Sequence, residues 1–115
     1  MTMNDLPLNG IRVVDLSWII AGPTSTRFLA GMGAEVIKVE SLDGDHGRSV
    51  GRSVGLDSTL PNGASAFFEG LNRQKLGIAV NLKTPEGVEI MYKLAVKSDI
   101  FVENFRKGVA ERLNL

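Results

Sequence analysis

Ile11-Arg12-Val13-Val14-Asp15-Leu16, the segment from Pro23 to Met32, and Ala34-Glu35-Val36-Ile37-Lys38-Val39-Glu40 together decide the fold. The first run is short and rich in β-branched residues, and the turn pair Asn9-Gly10 precedes it, so it reads as a buried strand. Ser17 to Pro23 reads as a loop. Pro23 suits the first turn of a helix, where its missing N–H costs nothing. Phe28, Leu29 and Met32 then give a helix over 24–32 an apolar side, and Gly33 is placed to cap its C-terminus. Ala34 to Glu40 alternates in part and reads as a second strand. The connection is too long for a hairpin and suits a right-handed crossover to a parallel neighbour.

The same grammar continues beyond Glu40. Leu76 to Leu82 reads as a third strand and Asp99 to Phe105 as a fourth. Between them, Thr84-Pro85-Glu86-Gly87 is a helix start, with Thr84 as N-cap, Pro85 at the first position and Glu86 near the positive end. Val88, Met91, Tyr92 and Ala95 recur at i, i+3, i+4 and i+7 and predict one apolar face. Ser65 to Leu71, with Phe67 and Phe68, predicts a short helix, and another starts at Val109. Ser41 to Ala64 differs in character. It holds Gly44, Gly47, Gly51, Gly55 and Gly63 and the tandem repeat Gly47-Arg48-Ser49-Val50, Gly51-Arg52-Ser53-Val54, and it is expected to be a flexible glycine-rich loop. Strands alternating with helices imply an α/β fold, a Rossmann-like, mostly parallel sheet with helices on both faces.

Composition bounds the function classes. The 115 residues suit one domain. Hydrophobic residues at 43% and charged residues at 23% exclude wholesale disorder. Thirteen basic residues balance thirteen acidic ones, which argues against a nucleic-acid partner held by net charge. Cysteine is absent, so no disulfide scaffold or thiolate metal site exists, which fits a cytoplasmic, reducing setting. No apolar run approaches the roughly 18 residues of a membrane helix. Asp5 precedes any apolar run, so the start does not read as a secretory leader.

In open α/β sheets ligands bind beyond the carboxyl ends of the strands. Ser17–Pro23, Ser41–Ala64, Lys83–Thr84 and Glu103–Lys107 fall there. They carry Gly22, Lys83, Asn104, Arg106 and Lys107, and a helix start beside Lys83 or Gly22 favours an anionic group. The turn after the first strand lacks G-x-G-x-x-G, and no G-x-x-x-x-G-K-[ST] occurs, so neither nucleotide fingerprint is present. His46, Arg48 and Arg52 read first as solvated loop residues, and Trp18 as either core or cleft wall. From these residues alone the chain is an anion-tolerant α/β module with an open choice of ligand.

Five motifs in register carry a resemblance. Asp15-Leu16-Ser17 with Ala21-Gly22-Pro23, Gly33 to Glu40, Leu71-Asn72-Arg73-Gln74-Lys75, Leu82 to Gly87, and Val102-Glu103-Asn104-Phe105 resemble the opening of class III CoA-transferases, the CaiB–BaiF family. The likeness runs from Leu6 to Leu115. It implies that residues 1–115 are an N-terminal, CoA-binding part of a larger Rossmann-like domain, in an enzyme that moves CoA between carboxylic acids. Coenzyme A or acyl-CoA is then a substrate rather than a tightly bound cofactor, a carboxylic acid is the second substrate, and no metal is expected. By the resemblance, Ile20 and Ala21 line the pantetheine and thioester channel. Val80 and Lys83 contact the adenosine and phosphate end, Asn104 and Phe105 border the nucleotide, and Arg112 and Leu113 approach it. A cationic side chain gives charge-assisted bonds to the CoA phosphates, and close backbone approach near Ala21-Gly22 excludes large side chains.

The departures from the pattern also carry expectations. Ser41 follows Glu40 where many members have arginine, so that phosphate contact is expected to move to Arg48 or Arg52. Trp18 stands in place of a histidine and Ile20 in place of a glutamine, which points away from an oxalate- or formate-type acid and toward a bulkier, more apolar acyl group. Leu76 replaces a basic residue, and Lys107 a proline. The aspartate that carries covalent catalysis in transferases matches none of Asp43, Asp45, Asp57 or Asp99, so no catalytic residue is assigned and the chain alone is expected to be inactive. Members form interlocked homodimers. An acyl-CoA racemase of the same family and a free-standing, non-catalytic CoA- or nucleotide-binding module are the alternatives, and neither a membrane nor a nucleic-acid partner is expected.

Overall fold

Four parallel strands form one sheet in the order β3-β2-β1-β4 in the computed structural model, which describes residues 5–53 and 65–115. The strands are β1 (Arg12–Asp15), β2 (Glu35–Glu40), β3 (Leu76–Ala79) and β4 (Ile100–Val102). The helices are α1 (Ala21–Gly31), α2 (Gly47–Ser53), α3 (Ala66–Asn72), α4 (Pro85–Val96) and α5 (Val109–Arg112). The chain winds outward from β1 to β2 and β3, then crosses back through α4 to place β4 on the other side of β1. The order therefore reverses at β1, a switch point of the kind where α/β sheets bind ligands.

The pleat sorts the side chains onto two faces. Val13 pairs with Val36 and Asp15 with Lys38, so these four share one face. There Val13, Ala30, Ala34 and Val36 form a core under α1. Val14, Leu16 and Val39 point the other way and pack with Val80 and with Met91 of α4. Each face thus has its own small core, and the α/β layering expected from the sequence is present.

Several local signals act as expected. The Thr84 hydroxyl caps α4 by accepting from the Gly87 N–H at 3.2 Å, with Pro85 as first helical residue. The Ser65 hydroxyl caps α3 through Phe68 N–H at 3.3 Å. Gly33 takes φ +100° after α1, and the Gly33 and Ala34 amides return to the carbonyls of Ala30 and Leu29, which closes the helix as a Schellman turn.

Other boundaries move. Helix α1 begins at Ala21 rather than Thr24. Pro23 still lies in its first turn, where no intrahelical partner awaits an N–H. The expected loop after Ser41 contains helix α2, which takes the first repeat unit and three residues of the second; residues 54–64 lie outside the described residues. Strands β3 and β4 are shorter than their apolar runs, because ladder pairing stops near Ala79 and Val102 while Val80 and Phe105 continue into the core. Tyr92 leaves the predicted apolar face of α4, is exposed, and donates its hydroxyl to the Asn114 carbonyl at 2.7 Å.

Candidate functional site

The carboxyl ends of all four strands open into one cleft of about 1210 Å3, at or above the usual roughly 300–1,000 Å3 of small-molecule sites. Its walls are the segments that follow each strand: Trp18 to Ala21, Ser41 to His46, Asn81 to Lys83, and Asn104 to Arg106. Leu16, Val39, Glu40, Arg48, Ser49, Val109 and Leu113 complete the lining. Apolar side chains such as Leu16, Ile20, Leu42 and Phe105 therefore face the same space as the cations Lys83, Arg48 and Arg106.

The first wall is held in an unusual conformation. Ile19 has φ 66°, a region that costs a β-branched residue free energy. Two fastenings offset that cost. The Asn104 side chain grips the Trp18 backbone from both sides, accepting from its N–H at 2.8 Å and donating to its carbonyl at 3.0 Å. On the other side, Gly22 lies so close to Ser17 that an added Cβ would stand 2.1 Å from the Ser17 Cβ. The intolerance of side chains expected at Ala21-Gly22 thus has an internal cause at Gly22. Trp18 itself is a cleft-wall residue. It meets the His46 ring edge-on at 4.9 Å between centroids and the Phe105 ring at 5.9 Å, the geometry favoured by the ring quadrupoles.

Behind this wall lies a buried polar chain on the α1 face of the sheet. The Asp15 carboxylate accepts from the Thr26 hydroxyl at 2.5 Å, from Lys75 at 2.9 Å, and from the Ser17 amide at 2.9 Å and its hydroxyl. Burial pushes the Asp15 carboxyl up, but these bonds with Ser17, Thr26 and Lys75 outweigh it and hold it below the usual Asp value. Burial pulls the Lys75 ammonium down against the pull of Asp15. Lys75 also donates to the Pro23 carbonyl at 3.0 Å and to Asn72 Oδ1 at 2.8 Å. Lys38 is buried too; its ammonium donates to the Ser17 carbonyl and lies 2.7 Å from Asp45 Oδ2.

Glu40 and Arg48 form a second, half-exposed pair at the rim. Arg48 Nε and Nη2 each donate at 2.8 Å to the two Glu40 oxygens, a parallel fork. The Arg48 bond is the main reason the Glu40 carboxyl sits below its ordinary value. The guanidinium also lies 3.7 Å over the Phe68 ring.

The residues singled out from sequence divide in this frame. Ile20, Ala21, Lys83, Asn104, Phe105 and Leu113 line the cleft. Val80 does not: it is 3% exposed and belongs to the core beneath Met91. Arg112 lines an adjoining groove with Lys83, Tyr92 and Leu113. Arg48 reaches the cleft wall with its charge already engaged by Glu40, rather than as a solvated loop residue, and His46 lies on Trp18. The buried pairs Lys38–Asp45 and Asp15–Lys75 were missed. A signal existed: Lys38 and Asp15 share strand parity with the apolar Val36 and Val13, so they had to face the interior. Among the described residues, no cluster of three or more His, Cys, Asp or Glu could hold a metal, and no helix is long and apolar enough to cross a membrane.

Comparison with known proteins adds the decisive observation: the profile of CoA-transferase family III matches residues 8–115. The chain belongs to CoA-transferase family III. It is 44% identical over 110 residues to succinyl-CoA:glutarate CoA-transferase of Mus musculus, covering 95% of this chain and 24% of the relative. It is 40% identical over 108 residues to (R)-2-hydroxy-4-methylpentanoate CoA-transferase of Clostridioides difficile, covering 94% and 27%. A crystal structure of a CaiB/BaiF family protein from Brucella suis superimposes with a TM-score of 0.84 at 37% identity, covering 96% of this chain and 29% of that one. The chain thus spans about a quarter of the length of the curated relatives it matches.

Proposed function

We propose that this chain is the CoA-binding N-terminal part of an enzyme that transfers CoA between carboxylic acids. The observation that carries the reading is the cleft at the switch point, in a chain of this family, lined both by apolar side chains and by the cations Lys83, Arg48 and Arg106. CoA has matching chemistry: an apolar-tolerant pantetheine arm and an anionic nucleotide end. Ile20 and Ala21 border the thioester arm. Lys83 faces the phosphates, helped by the start of α4 directly behind it. Phe105 offers a ring to the base, and Leu113 closes the same end. Asn104 acts by fixing Trp18. Arg112 serves the outer phosphate from the adjoining groove. Val80 supports this end from the core rather than by contact.

Transfer is favoured over racemisation because the two relatives named above are both CoA-transferases. Their acids differ, a dicarboxylate and a branched hydroxy acid, at similar identity. Trp18 and Ile20 at the wall favour a bulky, apolar acyl group. The nucleophilic aspartate is supplied by sequence that the family pattern places after these motifs. The full enzyme is a cytoplasmic homodimer in this reading. Exposed Leu76, Ile78, Ile100 and Phe101 on the outer strands β3 and β4 support assembly with further chain.

Parallel calorimetric titrations with CoA and with NAD test the proposal. CoA is expected to bind more tightly, and Lys83→Ala to weaken it by about 1–3 kcal/mol through loss of a charge-assisted bond. Tighter binding of NAD, or an unchanged CoA affinity in Lys83→Ala, would overturn it.

A further inference from the structure

Lys38 lies beneath the cleft without lining it, and it joins two of its walls. Its Nζ donates to the carbonyl of Ser17, which begins the wall after β1. The same Nζ sits 2.7 Å from Oδ2 of Asp45, in the wall after β2. Both side chains are only 2% exposed. Asp45 Oδ2 takes no well-aligned hydrogen bond, so its contact with Lys38 is one of charge. Its other oxygen accepts from Gly47 N–H at 2.6 Å, and its own N–H donates to Glu40 at 2.9 Å. Asp45 is thereby fixed against both β2 and the start of α2. The residues directly beyond the two anchors are Trp18 and His46, whose rings meet across the cleft wall at 4.9 Å.

We propose that Lys38 is a positioning residue of the CoA site, a buried ammonium that ties the Ser17 and Asp45 loops together and so sets where Trp18 and His46 stand. The clamp complements Asn104, which holds Trp18 from the side of β4. With both in place, the loop carrying Trp18 is fastened at both flanks, and the strained Ile19 conformation persists. The bound arm of the ligand passes this wall, so displacing it changes affinity although Lys38 never touches ligand. This rests on the CoA reading for its ligand but not for its mechanics.

A buried ion pair used only for stability can often be replaced by neutral residues of similar size without loss. That separates the two roles. The double variant Lys38→Met with Asp45→Asn removes both charges, keeps an oxygen for the Gly47 amide, and leaves Asp15–Lys75 intact. Three measurements are made on the 115-residue chain: thermal melting by far-UV circular dichroism, acrylamide quenching of the one tryptophan among these residues, and titration with CoA. The expected result is a cooperative melt, a red-shifted and more easily quenched Trp18, and CoA affinity reduced roughly tenfold or more, about 1.4 kcal/mol. Wild-type quenching and affinity in a folded double variant would overturn the proposal. If the double variant does not melt cooperatively, Lys38→Arg decides. It keeps the charge but is too long for both anchors, so it must shift Trp18 quenching; unchanged quenching and affinity refute the clamp. If wild-type protein fails to bind CoA, the proposed ligand falls, while the Trp18 comparison still decides the clamp.

Discussion

Replacing Asn104 by alanine should loosen the first cleft wall by an amount that its geometry sets. Asn104 makes two hydrogen bonds to one residue, at 2.8 Å and 3.0 Å, and both are to the Trp18 backbone. A net hydrogen bond is worth about 0.5–1.5 kcal/mol, so deleting both costs about 1–3 kcal/mol. Asn104 is exposed, so water can replace part of each bond, and the lower half of that range is expected. Asn104→Asp is the internal control. It keeps an acceptor for the Trp18 amide but turns an acceptor-only carboxylate oxygen toward the Trp18 carbonyl, so it should not restore the wall and should lower the midpoint as well. The assay is urea unfolding followed by both far-UV circular dichroism and Trp18 emission. In the alanine variant the midpoint should fall in both signals, and the native-state emission should shift to the red because Trp18 leaves Phe105 and His46. An alanine variant with the wild-type midpoint and native emission would refute the claim that Asn104 holds this wall.

Gly22→Ala should destabilise the protein by about 1–3 kcal/mol or more, because the new Cβ meets the Ser17 Cβ at 2.1 Å in a packed interior; chemical denaturation measures it, and a neutral effect would mean that Ser17 can move freely. Acid should also destabilise. Asp15 and Glu40 both have carboxyl pKa values lowered in the folded state, so their stabilisation is present above the ordinary range near 4 and is lost as pH falls through the lower folded-state values. The urea midpoint should therefore drop as pH goes from about 6 to about 3, with a shallower drop in Asp15→Asn; a flat profile contradicts the assigned bonds.

The fold was legible because each element carried two agreeing signals. In α4, the Thr84-Pro85 start and the Val88–Met91–Ala95 spacing point to the same helix, and it is there. Strand boundaries were less legible, since Val80 and Phe105 continue their apolar runs into the core after ladder pairing has ended. Helix α2 was hidden by its glycines, which read as loop, while the Asp45 side chain that caps its first amide lies two residues before the repeat. At the site, strand-end placement pointed to Lys83, Asn104 and Arg106, and the family resemblance to Ile20, Ala21 and Phe105; all six line the cleft. The resemblance also pointed to Val80, whose side chain lies in the core because the chain just past β3 turns it inward. Both missed Lys38, whose role depends on a contact with Ser17 that sequence spacing does not encode, although its burial followed from strand parity.

The central claim is that the switch-point cleft receives CoA, and backbone amide shifts recorded during a CoA titration test it most directly. The account predicts saturable shifts that cluster at residues 18–21, 41–46, 81–84 and 104–106, at the carboxyl ends of the strands, with Lys83 among them. The amides of residues 28–31, at the opposite end of α1 from Ala21, should stay still. Shifts centred on residues 28–31, or none at CoA concentrations that saturate calorimetric binding, would contradict it.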